Sequence, residues 1–242
     1  MAEIIPAIIP KDLDDLREKM SLVAPYVSLV QIDVTDGRFV PSRCWPYNKG
    51  DIDDPSFEKI KSQEEGFPFW DRLDFEVDLM VVNPEAVVAD WIEAGARRLV
   101  IHVESTKDLK SLLRHIAKDY LSLREGVSAL EIGLALNINT PNEIIYELML
   151  EKLDGGLPLF DFVQFMGIAK IGYQGQKFDD RVLKKIRELR EISDDITISI
   201  DGGVDFDNAI ELVASGVDRL ISGSAIYESG DVGEAIAYFE EL

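Results

Sequence analysis

Short apolar runs alternate with longer amphipathic segments along the whole chain, and this alternation restricts the fold more than any other feature. The strand-like runs cover residues 4–9, 29–34, 73–81, 99–103, 132–138, 160–166, 196–200 and 220–222. Helical patterns cover 13–24, 84–94, 109–123, 142–150, 180–191, 208–215 and 232–240. Gly95, Gly126 and Gly216 stand just after helical patterns, where a left-handed terminal residue is wanted. Eight strands in 242 residues give units of about 30 residues, the size of one strand-plus-helix repeat. Strands that alternate with helices imply the α/β class and a parallel sheet.

The pattern inside the strands separates a closed sheet from an open one. Val30, Ile32 and Val34 alternate with Gln31 and Asp33. Phe75, Val77 and Leu79 alternate with Glu76, Asp78 and Met80, and Ile196, Ile198 and Ile200 with Thr197, Ser199 and Asp201. One face of each strand is apolar and packs on helices; the other is polar and points to a shared interior. An open sheet covered on both faces would carry near-continuous apolar strands. The sequence therefore predicts a single (β/α)8 TIM barrel domain over residues 1–242. Two segments depart from the repeat. Residues 41–73 carry Pro41, Pro46, Pro55 and Pro68 with Trp45, Tyr47, Phe57, Phe67, Phe69 and Trp70, and read as a short helix near 56–62 within an ordered excursion over the barrel mouth. Residues 167–178 form a glycine-containing loop after the sixth strand.

Charge removes whole classes of function. With 25 Lys+Arg against 46 Asp+Glu, the formal charge is −21. Such a field repels nucleic acid and anionic membrane surfaces, which both ask for Lys and Arg. No apolar run approaches the roughly 18–20 residues that span a bilayer, and the first residues turn acidic at once, unlike a secretory leader. The expectation is a soluble, cytoplasmic protein. The lone Cys44 can form neither an internal disulfide nor a thiolate cluster. Closed homo-oligomers are frequent among soluble enzymes, and the sequence leaves the assembly open.

In such a barrel, chemistry sits at the carboxyl ends of the strands. Asp33, Asp78 and Asp201 fall there on inward positions, with Glu76 below, His102 ending the fourth strand and Asn137 the fifth. Three carboxylates in a small interior cannot all stay ionised without a cation; either one neutralises them or their pKa values rise. Both outcomes suit acid–base chemistry, and the alternative is a set of structural carboxylates capping the next loops. Gly202-Gly203 and Gly223-Ser224 follow the seventh and eighth strands, where barrels commonly seat a phosphate on backbone N–H groups. The implied ligand is a small phosphorylated molecule.

These residues carry a resemblance. The stretches IIPAIIPKDL, DVTDGRFVPS (Asp33 to Ser42), DLMVVNPE (Asp78 to Glu85), IHVEST (Ile101 to Thr106), GYQGQKF (Gly172 to Phe178), DGGV (Asp201 to Val204) and SGSAIY (Ser222 to Tyr227) occur in the order found in ribulose-phosphate 3-epimerases, which the chain resembles over nearly its whole length. The resemblance implies interconversion of D-ribulose 5-phosphate and D-xylulose 5-phosphate through an enediolate, two aspartates exchanging the C3 proton. The matching positions are Asp33 and Asp201. Implied substrate and phosphate contacts are Ala7, Met80, Gly172, Tyr173, Gln174, Gly175, Gly202, Gly203, Gly223 and Ser224.

The departures bear on mechanism. The family's metal site uses two histidines with the two aspartates; the histidine positions here hold Gln31 and Asp78. A serine of the first strand is Ala7, a methionine of the second-strand motif is Thr35, and the loop that usually reads NPGFGGQ is KIGYQGQ, which introduces Lys170 and Ile171. Gln31, Asp33, Asp78 and Asp201 would offer oxygen ligands, a set that suits Mg2+ or Mn2+ better than Zn2+ or Fe2+. A metal-free site would instead use Lys170 or a glutamine amide as the electrophile. The excess of carboxylate favours the cation. Glu76 reads as a support for Gln31 or water, His102 as a pocket wall or a core residue, His115 as a solvated surface residue and Cys44 as incidental. Two rivals stand beside the epimerase: a lyase, aldolase or decarboxylase of the same ribulose-phosphate-binding barrel group, to which an inward Lys170 would point, and a non-catalytic phosphosugar-binding barrel.

Overall fold

The computed structural model describes residues 2–49, 51–52, 54–120, 130–153 and 156–242. Eight strands, β1 (Glu3–Ile8), β2 (Leu29–Thr35), β3 (Asp74–Met80), β4 (Arg98–His102), β5 (Glu131–Leu136), β6 (Phe162–Met166), β7 (Thr197–Asp201) and β8 (Arg219–Ser222), pair in parallel and in sequence order into a closed barrel. The helices are α1 (Leu13–Val23), α2 (Pro55–Lys61), α3 (Val88–Glu93), α4 (Leu109–Tyr120), α5 (Glu143–Met149), α6 (Arg181–Ile192), α7 (Ala209–Ala214), α8 (Ser224–Tyr227) and α9 (Val232–Glu240). The expected barrel is present, and each expected strand matches an observed one with small shifts at its ends.

The strands close as they do because their two faces differ. Val30, Ile32 and Val34 of β2 join Val77 and Leu79 of β3 in the large core between sheet and helices, whereas Ile5, Ala7, Leu29 and Ile221 form a separate apolar cluster. Helix α4 shows the matching pattern on the outside, burying Leu109, Leu112, Leu113, Ile116 and Ala117 at helical spacing. Asp12, Asp54 and Asp231 cap α1, α2 and α9 by accepting backbone N–H groups of the first turn. In β5, Gly133 is required by packing: a Cβ there would lie 2.3 Å from the Phe162 ring.

Several expectations are corrected. Residues 41–73, expected as an excursion over the mouth, are the second strand-to-strand crossover and carry α2. Trp45, Tyr47, Phe57 and Phe67 are buried in the outer core, with Trp45 and Phe57 packed against Trp91 of α3. Apolar area drives them there; only Trp70 stays mostly exposed, at 74 %. The 84–94 pattern is split, because Asn83 adopts a left-handed conformation and a 3-10 turn at Pro84–Ala86 precedes α3. Helix α8 was not expected. Gly126 and the last three residues of the 109–123 pattern lie outside the described residues.

The amino end of the barrel is closed by ions. Arg98 contacts Glu76 (3.3 Å), Glu131 (3.4 Å) and Glu3 (3.5 Å), and Arg219 contacts Glu131 (3.0 Å) and Glu3 (3.2 Å). Glu76 is therefore tied to Arg98, not to Gln31 as expected. Burial pushes its carboxyl up to about 7, against the pull of Arg98 and Arg219. Removing Arg98 would strand the buried Glu76, at about 3–5 kcal/mol, whereas neutralising Glu76 leaves Arg98 with Glu3 and Glu131. Arg98→Met is accordingly expected to lower the urea midpoint by an amount worth about 3 kcal/mol, and Glu76→Gln to change it by less than about 1 kcal/mol.

Candidate active site

The polar residues of β2, β3, β6 and β7 meet at the other end. Asp33 and Asp78 are partners in the β2–β3 register, and oxygens of Asp33, Asp78 and Asp201 lie within 4.8 Å of one another. Gln31 Nε2 donates to Asp33 Oδ1 (2.7 Å) and to Asp201 Oδ2 (2.9 Å), bridging the two carboxylates. Gln164 Nε2 donates to Asp78 Oδ2 (3.2 Å) and reaches Asp201 Oδ2 at 3.5 Å. His102 Nε2 lies 3.0 Å from Asp78 Oδ1 without the alignment of a hydrogen bond, so the contact is an ion pair. Its Nδ1 stands 3.8 Å from Glu104 Oε2, and Phe39 packs on the ring. Cys44 secures the end of β2, its thiol donating to the Asp33 carbonyl oxygen (3.3 Å) and accepting from Thr35 N–H (3.1 Å).

The energetics follow from burial. Burial, then repulsion from Asp201 and Asp78, holds the Asp33 carboxyl well above the ordinary range. Burial and the neighbouring Asp78 push Asp201 up to about 7. Burial alone would lower His102, but the Asp78 carboxylate more than reverses it and pushes the imidazole up to about 10. The Asp78 carboxylate thus favours the protonated form of His102 inside the barrel.

Above this layer opens a small cleft. Among the described residues that line it are Ala7, Asp33, Met80, Gly172, Tyr173, Gln174, Gly175, Asp201, Gly202, Gly203, Gly223 and Ser224. The structure brings the expected substrate-side residues together there; Gln31 and Asp78 lie beneath, fully buried. Asp33 and Asp201 keep 6 % and 8 % exposure, against 0 % for Asp78, so two of the three carboxylates reach the cleft. Gly202 and Gly203 take positive φ (96° and 71°), and a Cβ on Gly203 would stand 2.8 Å from Phe178 Cα. Among the described residues no protein acceptor takes the amide N–H of Gly203 or Gly223. Lys170 does not line the cleft; its ammonium sits 4.7 Å from the centre of the Tyr173 ring. His115 is a surface residue near Asp119, and the Asn137 N–H donates to Glu104 Oε1 (2.9 Å).

Sequence reasoning missed Gln164, Met166 and Gln176. Gln164 had a signal, being the one polar residue in the strand FVQFM. Met166 and Gln176, which also line the cleft, had none beyond position.

The buried donors suit a divalent cation. Gln31 Oε1 is buried and has no partner. A half-turn of the amide, which exchanges two atoms of similar size, turns that oxygen toward Asp33 and Asp201. His102 offsets one of three carboxylates, so once Asp33 and Asp201 both release their protons two negative charges face the shared point, the charge of one such ion. The three carboxylates could hold a metal.

The comparisons with known proteins give the family and the fold. The chain is 30% identical over 240 residues to a ribulose-phosphate 3-epimerase of Synechocystis sp., covering 97% of this chain and 91% of that protein. It is 30% identical to one of Bacillus subtilis, covering 98% and 97%. Among solved structures, KGPDC from Streptococcus mutans superposes with a TM-score of 0.65 at 15% identity, covering 100% and 96% of the two chains. The 3-hexulose-6-phosphate synthase of Salmonella typhimurium gives 0.63 at 14%, covering 99% and 97%. At that identity the structures speak for the barrel fold alone. The model of the ribulose-phosphate 3-epimerase family matches residues 3–227, and the chain belongs to that family.

Proposed function

We propose that this protein interconverts D-ribulose 5-phosphate and D-xylulose 5-phosphate, with Asp33 and Asp201 exchanging the proton at C3. One observation carries the reading: of three clustered carboxylates, these two reach the cleft, from non-adjacent strands, with one oxygen of each fixed by the same Gln31 amide.

Epimerisation removes a proton from one face of a carbon and returns it to the other, so it needs two groups, one ionised and one protonated. Repulsion between Asp33 and Asp201 in a buried site favours sharing a single proton, the charge state that this exchange requires. Loss of the C3 proton leaves a planar enediolate, and delivery from the opposite carboxyl inverts the centre. Met80 and Met166 line the same cleft as apolar wall and limit water near the intermediate. The open N–H groups of Gly203 and Gly223 supply the phosphate end. When bound by Gln31, Asp33, Asp78 and Asp201, a divalent ion would supply Lewis-acid stabilisation of the enediolate oxygens. The oxygen-only donor set favours Mg2+ or Mn2+. The outward position of Lys170 counts against an aldolase or decarboxylase that needs that lysine, and two carboxylates at the cleft surface count against a purely binding role.

Asp33→Asn and Asp201→Asn should each lower kcat for ribulose 5-phosphate by about 10³-fold in a coupled assay; retention of activity in either would contradict the roles given. Titration calorimetry should find one Mn2+ per chain, lost in Asp78→Ala, and chelation should reduce turnover reversibly. Absence of both effects would establish the metal-free alternative. In the metal-stripped protein, Asp201 binds a proton more tightly folded than unfolded, so its contribution is complete below about pH 4 and lost as pH rises through about 7. Asp201→Asn should therefore be more stable than the parent at pH 8, by up to about 3 kcal/mol, with the gap closing towards pH 4.

A further inference from the structure

We propose that Gln174 is a phosphate-binding residue particular to this chain, its carboxamide adding a side-chain donor to the glycine cradle. The inference rests on the phosphosugar reading of the cleft. Its starting point is a charge deficit. The described residues that line the cleft include Asp33 and Asp201 but no lysine or arginine, so a phosphate dianion entering it must be held by neutral donors. Backbone N–H groups at the glycine turns supply some of them.

Gln174 supplies another from the facing loop. Its side chain crosses from the loop after β6 to the end of β1, where Nε2 donates to the Ala7 carbonyl oxygen at 3.1 Å. On the way it lies directly over Gly223: a Cβ on that residue would stand 2.6 Å from Gln174 Nε2 and 3.1 Å from the Ala7 oxygen. Gly223, having no side chain, leaves the space above it to the carboxamide. A carboxamide nitrogen carries two N–H groups, and the Ala7 carbonyl takes one. The second is available beside the Gly223 N–H, in a cleft where Ala7 contributes only a methyl group. The loop carrying the amide is braced: Gly172, at φ +83°, packs so closely on Val40 and Ser42 that a Cβ would fall 2.8 Å and 2.7 Å from their side chains. The donor is therefore placed before the ligand arrives, which limits the ordering cost of binding. The family's usual loop has glycine at this position, so this donor belongs to the present sequence.

The test is titration calorimetry of inorganic phosphate into the full chain and its Gln174→Ala and Gln174→Glu variants, with steady-state kinetics on ribulose 5-phosphate alongside. A hydrogen bond to a charged group is worth about a tenfold or larger change in affinity. Gln174→Ala should raise the phosphate Kd about tenfold and place the loss in KM more than in kcat. Gln174→Glu, which keeps the shape but exchanges a donor for an anion, should abolish measurable phosphate binding. If the parent binds phosphate and Gln174→Ala binds it equally well or more tightly, the carboxamide is a bystander or a plug and the proposal is overturned. If the parent itself binds neither phosphate nor ribulose 5-phosphate, the phosphosugar reading fails and takes the proposal with it.

Discussion

Three carboxylates buried within 4.8 Å of one another are the constraint around which the upper barrel is arranged. Left alone, such a cluster would cost several kcal/mol per ion. The barrel answers with one internal cation and two amides. His102 pairs with Asp78, Gln164 fixes the other Asp78 oxygen, and Gln31 ties Asp33 to Asp201. Asp78 is thereby committed to the interior, and the cleft is left with two carboxyls whose protonation each depends on the other. The opposite end of the barrel solves its own charge problem separately, with Arg98 and Arg219 set among Glu3, Glu76 and Glu131. The lower network ties the strands together, and Glu76 within it still adds to the repulsion that raises Asp33 and Asp201 above it.

Much of this was legible because strand periodicity is exact: once Val30, Ile32 and Val34 are assigned to the helix side, Gln31 and Asp33 must face inward, and the same parity places Asp78 and Asp201. What periodicity cannot say is which inward residues touch. The ion pair between His102 and Asp78 depends on the relative height of β3 and β4, and the reach of Gln164 across to Asp201 depends on barrel closure. Glu76 illustrates the same limit, since its parity was right and its partner was not. For the aromatic residues of 41–73 composition shows that they must be covered but not by what, and the cover is α3 with its Trp91. Lys170 turned outward because a neighbouring Tyr173 ring offers its charge a place in contact with water.

The departures at positions 31 and 78 read differently once their neighbours are known. Replacing two imidazoles by a carboxamide and a carboxylate adds negative charge, and His102 from the adjacent strand returns a positive one. The site thus keeps a charge that one divalent ion would balance while its donors become oxygens. Fold, charge and donor chemistry then point the same way, towards a phosphosugar epimerase with an oxygen-lined interior.

The central claim is that two carboxyls act from the two faces of one carbon, and isotope exchange in each single variant tests it most directly. Ribulose 5-phosphate and xylulose 5-phosphate would be incubated separately in D2O with Asp33→Asn or Asp201→Asn, and loss of the C3 proton signal followed by NMR. The account predicts that each variant still exchanges the C3 proton of one epimer, that the two variants serve opposite epimers, and that neither interconverts them. Exchange of both epimers by the same variant would contradict it, because a single base would then be reaching both faces.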